Sequence, residues 1–331
     1  MPARLPFTKG TFNHDKHAGS LLAASTRTKD HALRRPTDDI HSFLHKDLAV
    51  EKLNKIHTYL WLAGRPVPPK PLNYQIAISR KIVTDERIDM HLIWEPSGLL
   101  HLKPIPRYLL DADFWHSHLI CTAPCCEAEA STAKTFSTTP CSHELYKYGL
   151  GFLHSYVALI QFESDLAMAH SYHLLPAEVT WLQWLSFVEQ LLQYGARPGD
   201  MNERYLFGEL RLSQLNKICS FRYGRALRGY QYIHRTYGDV FRAYLTPITM
   251  ATVYVALVLT AMQVGLATKG LGSDSAFQNS SYGFTVFAIL APLIGVGLAG
   301  LFGMFQFCMD LFESWWFQRD RLLRFDSTRI P

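Results

Sequence analysis

The residues of this chain best suited to chemistry fall between positions 116 and 143: His116, His118, Cys121, Cys125 and Cys126, then Cys141 and His143. Thiolates and imidazoles are the ligands that zinc and copper select, and a four-coordinate site drawn from His116, His118, Cys121, Cys125, Cys141 and His143 is chemically reasonable. The spacing argues against it. No C-x-x-C pair is present, and the gap from Thr122 to Pro140 is rich in Ala, Ser, Thr and Pro, the composition of a surface loop. Zinc is therefore one reading, palmitoylation of the adjacent Cys125 and Cys126 a second, and ordinary reduced thiols the simplest. No other cofactor is expected.

Other apparent motifs dissolve on inspection. Gly295-Val296-Gly297-Leu298-Ala299-Gly300 matches the dinucleotide fingerprint in letters, but it lies inside an apolar run, with no strand before it and no acidic ribose partner after it. Helix packing explains the same glycines: Ala291, Gly295, Ala299 and Gly303 recur every fourth residue and form one small-residue ridge, suited to the first apolar run or to a second copy of the chain. His170 and His173 share a helix face, where a surface or capping role is the simpler reading. No nucleophile elbow, phosphate loop or H-E-x-x-H signature occurs, so no residue is assigned a catalytic role.

The elements that position everything else are two long apolar runs. Residues 243–268 form the first, and the second extends from Ser275 to Met309 with its apolar part starting near Gly283. Each exceeds the roughly 20 residues that cross a hydrocarbon core about 30 Å thick. They predict a transmembrane hairpin, with helices at 243–268 and 283–309 and a short lumenal or extracytosolic loop at 269–282. Neither run contains Asp, Glu, Lys, Arg or His, which disfavours an ion pathway through the pair alone. Lys and Arg flank the runs and only Lys269 lies between them, so both termini of this multi-pass protein are expected in the cytosol, in a membrane that the sequence does not name. Before the first run, a juxtamembrane segment at 221–242 carries Arg222, Arg225, Arg228 and Tyr230; Trp315, Trp316 and Arg319 repeat the pattern in a basic tail at 310–331. Aromatic rings and snorkelling arginines suit the head-group layer better than nucleic acid. The net charge of +5 fits an anionic lipid surface.

The remainder reads as a cytosolic domain at 43–220 with a loop insertion at 122–142, preceded by a disordered basic tail at 1–42 that has no signal-peptide pattern. A helix is predicted from an Asp47 N-cap, burying Leu53, Ile56, Leu60 and Ala63 and ending at Gly64. Pro66, Pro68, Pro69 and Pro71 then hold the chain extended. Asp89–Trp94 and Leu99–Lys103 predict a β-hairpin around Glu95-Pro96-Ser97-Gly98. Helices are expected at Arg107–Trp115, Leu145–His173, from Pro176, and at Asn202–Ile218. The fold class is thus mainly α, an α+β domain with one small hairpin, followed by the two-helix transmembrane hairpin.

Segments spread along the chain resemble a family of uncharacterised fungal integral membrane proteins defined by a domain of unknown function. They include HKDLAVEKLNKIHTYLWLAGRPVPPKPLNYQ (His45 to Gln75), MHLIW (Met90 to Trp94), LKPIPRYLL (Leu102 to Leu110), ALIQFESD (Ala158 to Asp165), GELRLSQLNKI (Gly208 to Ile218) and ATVYVALVLTAMQVGLATK (Ala251 to Lys269). The resemblance implies a cytosolic domain followed by two spans and brings no reaction or cofactor. The leading expectation is a membrane-anchored interaction or scaffold protein that binds an unidentified cytosolic partner, forms homo-oligomers through the second span and does not bind nucleic acid. The layout is also similar to that of CorA-type magnesium channels, although Gly265–Lys269 stands where their Gly-Met-Asn signature belongs. A metal-dependent enzyme using the His and Cys cluster is the third expectation.

Overall fold

Leucines at alternating positions of LLHLK make a strand, and its neighbours make that strand central. The computed structural model describes residues 5–8, 11–12, 21–28, 32–120, 142–195, 197–223, 230 and 237–295, with isolated positions up to 308. It divides into two units, Met1–Ile233 and His234–Pro331. Elements of the first, in chain order, are β1 (Thr26–Arg27), β2 (Leu33–Arg34), α1 (Ile40–Leu48), α2 (Glu51–Asn54), α3 (Leu60–Ala63), α4 (Leu72–Ala77), β3 (Lys81–Thr84), β4 (Ile93–Trp94) and β5 (Leu99–Leu102). They continue with α5 (Ala112–Phe114), α6 (Ser142–Leu159), α7 (Glu163–Ser171), α8 (Trp181–Tyr194), β6 (Leu210–Arg211) and α9 (Leu212–Tyr223). The fold is mostly helical with small sheets, an α+β arrangement.

The expected hairpin is present as β4 and β5, closed by Gly98 at φ 84, whose N–H donates to the Glu95 carbonyl at 2.9 Å. It sits inside a larger mixed sheet of order β3-β5-β4-β6, in which both outer strands run parallel to their neighbours. Leu210–Arg211, expected within a helix at Asn202–Ile218, instead pairs with Ile93 and Trp94, so α9 starts only at Leu212. The tertiary pairing outweighed local helical periodicity.

The helix expected from Asp47 begins earlier, at Asp39, whose carboxylate accepts the Ser42 N–H at 2.9 Å, and α1 then ends at Leu48. Leu53, Ile56, Leu60 and Ala63 are buried as their spacing required, but across three short helical turns rather than one helix. Gly64 is extended, not left-handed, and its role is close approach: a Cβ there would lie 2.8 Å from Leu210 Cδ2 and would strike the Glu209 carbonyl oxygen. The long block expected at Leu145–His173 breaks between α6 and α7. The helix expected from Pro176 is α8, which starts instead at Trp181 behind a Thr180 cap. The described part of residues 1–42 also departs from the expected disordered tail. Phe7 and Phe12 are buried, with Phe7 edge-on to Trp115 at 6.1 Å and to Phe187 at 5.3 Å. Aromatic burial compensates there for a polar composition.

In the second unit, α10 (Tyr237–Ala267) is a 31-residue helix. A second helix starts at Ser275, earlier than the Gly283 expected for the second apolar run, and is described to residue 295. The two approach where they turn, since a Cβ on Gly265 would lie 2.7 Å from the Phe277 ring. Among the described residues one helix is long and apolar enough to cross a membrane, over Thr249–Ala267.

Gly64→Ala should therefore destabilise the first unit by about 1–3 kcal/mol through overpacking against backbone. Gly199→Ala, which meets nothing within 4 Å, should stay within about 0.5 kcal/mol of the parent. Chemical denaturation of the purified variants, read by tryptophan fluorescence, compares them; equal effects would discount the close-approach role of Gly64.

Candidate functional site

The polar groups of the first unit collect around β5. Because strands flank it on both sides and both of its faces are covered, His101 and Lys103 are 2% and 1% exposed rather than on a solvent face. The Lys103 ammonium donates to Asp47 Oδ1 at 2.9 Å and to the Glu86 carbonyl at 2.7 Å. Asp47 in turn accepts from the Tyr108 hydroxyl at 2.5 Å. Burial, with the Asp47 carboxylate adding, pushes that phenol far above its ordinary pKa and keeps it a donor. The Tyr156 hydroxyl donates to the Lys103 carbonyl.

His91 continues the network. Its Nδ1 accepts the Lys103 N–H at 3.2 Å, which leaves Nε2 protonated to donate to Ser155 Oγ at 2.9 Å; that hydroxyl donates to the Phe152 carbonyl at 2.6 Å. Burial, then the nearby charges of Arg204 and Lys103, hold the His91 pKa well below its usual value, so the imidazole is neutral. Arg204, 1% exposed, donates to the carbonyls of Phe207 at 2.5 Å, Gly208 at 3.2 Å and His91 at 2.9 Å, with no carboxylate among the described residues beside it. Burial lowers its pKa to about 10, which still leaves it a cation at neutral pH.

Three further clusters have the same structural character. His101 Nε2 lies 2.8 Å from Glu95 Oε1, while Asp85 Oδ2 is 3.5 Å from Nδ1, outside hydrogen-bonding geometry. Burial opposes ionisation of Asp85, but hydrogen bonds and charge from Arg87 outweigh it and hold the carboxyl below the usual range. At the far edge, Glu209 accepts from the Lys70 N–H at 3.2 Å, from Gln75 Nε2 at 2.5 Å and from Arg80. That carboxylate ties the proline-rich strap to β6. Arg80 and Arg211 lie over the Trp94 ring at 4.7 and 5.3 Å from its centroid. Asp165 is fully buried and accepts three backbone N–H groups, from Asn73, Gln161 and Phe162, at 2.7–3.1 Å. Each of these carboxylates, and each cation of the Lys103 network, finds its partners inside the protein.

Open surface chemistry lies elsewhere. A cleft of about 910 Å³ runs between the β1–β2 hairpin, α1 and the Arg87–Asp89 turn. Lys46 on its wall donates to the Arg27 carbonyl at 2.7 Å, and Lys52 pairs with Asp89 at 2.7 Å. A second, of about 560 Å³, brings His57, His143, Glu144 and Tyr148 together. His57 there faces Glu203 at 3.3 Å, and burial, then the Glu144 charge, raises the Tyr148 phenol to about 12, too high for proton transfer at neutral pH.

Three of the expected metal-site residues, His116, His118 and His143, are described. His116 is exposed, His118 packs on the Phe114 ring at 4.6 Å, and His143 stacks on Tyr146 at 6.4 Å. Cys121, Cys125 and Cys141 lie outside the described residues, as do Arg225, Arg228, Ala299, Gly303, Trp315, Trp316 and Arg319. No group of three potential metal ligands forms among the described residues. Arg222 is exposed at the end of α9. Tyr230, expected in the head-group layer, instead donates to the Asp89 carbonyl and lies under Lys52 at 5.9 Å, because a phenol can satisfy its hydroxyl on a protein surface as well as in lipid. His173, grouped in the sequence with His170, takes a left-handed φ of 55 where α7 ends.

The buried neutral His91 makes stability pH-dependent. In the unfolded chain a histidine titrates near 6.5, so below about that pH the unfolded state binds a proton that the folded state refuses. Its contribution is complete above about 6.5 and is lost as pH falls, at no more than about 1.4 kcal/mol per pH unit. His91→Asn, whose carbonyl oxygen replaces Nδ1, should be less stable at neutral pH yet lose less stability on acidification. Denaturation midpoints at several pH values measure both slopes, and parallel slopes would discount His91 as a titrating group.

Compared with known proteins, the chain matches over residues 40–292 the family model described as "Family of unknown function (DUF6601)". No curated protein matches it, and neither does a solved structure. The matched range covers most of the chain and draws on both units, from α1 to the helix after α10, and on that ground the chain belongs to this family of unknown function.

Proposed function

We propose that the protein is a membrane-anchored interaction protein whose first unit is held at the cytosolic face by a two-span hairpin. The observation that carries this reading is the uncovered apolar stretch Thr249–Ala267, with a mean hydropathy of 1.8 and only 6% of it buried. A core helix of a soluble protein would be covered by its own chain, whereas here Val253, Tyr254, Leu257 and Val264 are 55%, 68%, 64% and 63% exposed. The helix after Ser275 supports a second crossing in the same way, with Phe287, Ile289, Leu293 and Ile294 also exposed. Both termini face the cytosol on this reading, and Arg222 with Trp315, Trp316 and Arg319 lies at the head-group layer. The small-residue ridge of the second helix packs against the first span or a second copy on this reading. The partner of the first unit is a cytosolic protein, and the polar interior of that unit is structural rather than catalytic.

Exposed positions make the test selective. Val253→Arg with Leu257→Arg breaks no packing in a soluble protein, yet each charge at mid-bilayer costs about 2.5–3.5 kcal/mol on insertion scales. The parent should stay with membranes through alkaline carbonate extraction, and the double variant should be released or degraded. A parent that extracts freely, or a variant retained equally well, contradicts the reading. A protease tag near Ser273 should be protected in sealed vesicles with the cytosolic face outward while both termini are cut.

A further inference from the structure

The larger cleft holds cations that the protein leaves without carboxylate partners. Arg27 and Arg34 stand on paired strands, β1 and β2, with Thr26 opposite Arg34 in register, and Arg35 follows directly before the buried Pro36 that fixes the chain to the domain. None of these guanidiniums has an ion-pair or hydrogen-bond partner among the described residues. Lys46 adds a fourth cation, held by a carbonyl rather than a carboxylate. Four carboxylates also line the cleft, and their engagements decide the balance. Glu51 faces His45 at 3.2 Å and Asp89 takes Lys52, while Asp39 caps α1 through the Ser42 N–H. The charges of Asp38, Asp39 and Glu51, whose neighbour His45 is a cation only when protonated, are what remain against three guanidiniums and an ammonium. A cleft of about 910 Å³ is within the usual range for small ligands, and forked guanidiniums match phosphate oxygens in pairs.

We propose that this cleft binds a compact polyphosphorylated anion, either a soluble polyphosphate ester or the phosphorylated head group of a lipid. Arg27, Arg34 and Arg35 bind the phosphates, and the Thr26, Thr28 and Ser42 hydroxyls complete the rim. The three arginines precede the range that matches the family model, while Ser42 and Lys46 of the same cleft lie within it. The assignment is independent of the membrane reading, because a soluble anion would occupy the same cleft.

The test titrates purified full-length protein in mild detergent with tripolyphosphate, and separately with short-chain phosphatidylinositol bisphosphate, using short-chain phosphatidylserine as the singly phosphorylated reference. Tripolyphosphate or the bisphosphate lipid should bind, and each Arg→Gln change at 27, 34 or 35 should weaken binding about tenfold or more. The triple variant should melt like the parent, since these exposed side chains hold nothing together; Arg34→Gln alone gives the same readout with the smallest perturbation. Tighter binding of the bisphosphate lipid assigns the head group as the source, and preference for tripolyphosphate assigns a soluble ligand. A control with the same charge removed elsewhere, Lys55→Gln with Arg65→Gln and Lys81→Gln, should bind as the parent does. Equal loss in that control, or no binding of either polyphosphorylated probe, overturns the site.

Discussion

The first unit depends on one buried ammonium. Lys103 directly follows the central strand with 1% of its surface exposed, and it is tolerable there because Asp47 from α1 and the Glu86 carbonyl accept from its ammonium while its backbone bonds to His91 and Tyr156. Removing one partner of such a pair typically costs about 3–5 kcal/mol, since the other charge stays buried alone. The same contacts fix where α1 and α6 meet the sheet. Arg204 extends the logic with carbonyls alone, tying the loop before β6 to the start of β4. An interior satisfied in this way leaves those groups no spare capacity for a substrate.

On the proposed reading, function falls to the surface and to the second unit. Trp94 is covered by two guanidiniums and Asp165 by three backbone amides, whereas the arginine-lined cleft and the apolar stretch of α10 remain open. On the proposed readings the charged cleft takes an anion and the uncovered apolar helix a lipid bilayer.

Much of this was legible in the residues, and what was not has physical causes. Leu53, Ile56, Leu60 and Ala63 are buried as their spacing indicates, and Gly98 turns the hairpin as its chemistry demands, because both are local effects. Lys81–Thr84 and Leu210–Arg211 went unread as strands because their pairing partners lie far along the chain. Alternation in the second hairpin strand does not show that His101 and Lys103 are interior, because the cover over both sides of β5 comes from distant parts of the chain. Gly64 looked like a helix cap and is a point of backbone contact with Glu209. Arg27, Arg34 and Arg35 gave no signal in sequence, since a short polar strand pair in a basic segment has no apolar period to reveal it.

Hydrogen exchange across the whole chain, reconstituted in lipid nanodiscs, tests the central claim of membrane anchoring most directly. The amides of Thr249–Ala267 belong to a helix that its own chain barely covers, so lipid alone can protect them. The account predicts that they exchange as slowly as those of Leu99–Leu102 in the buried central strand. Exchange as fast as in an exposed helix open to water would contradict it.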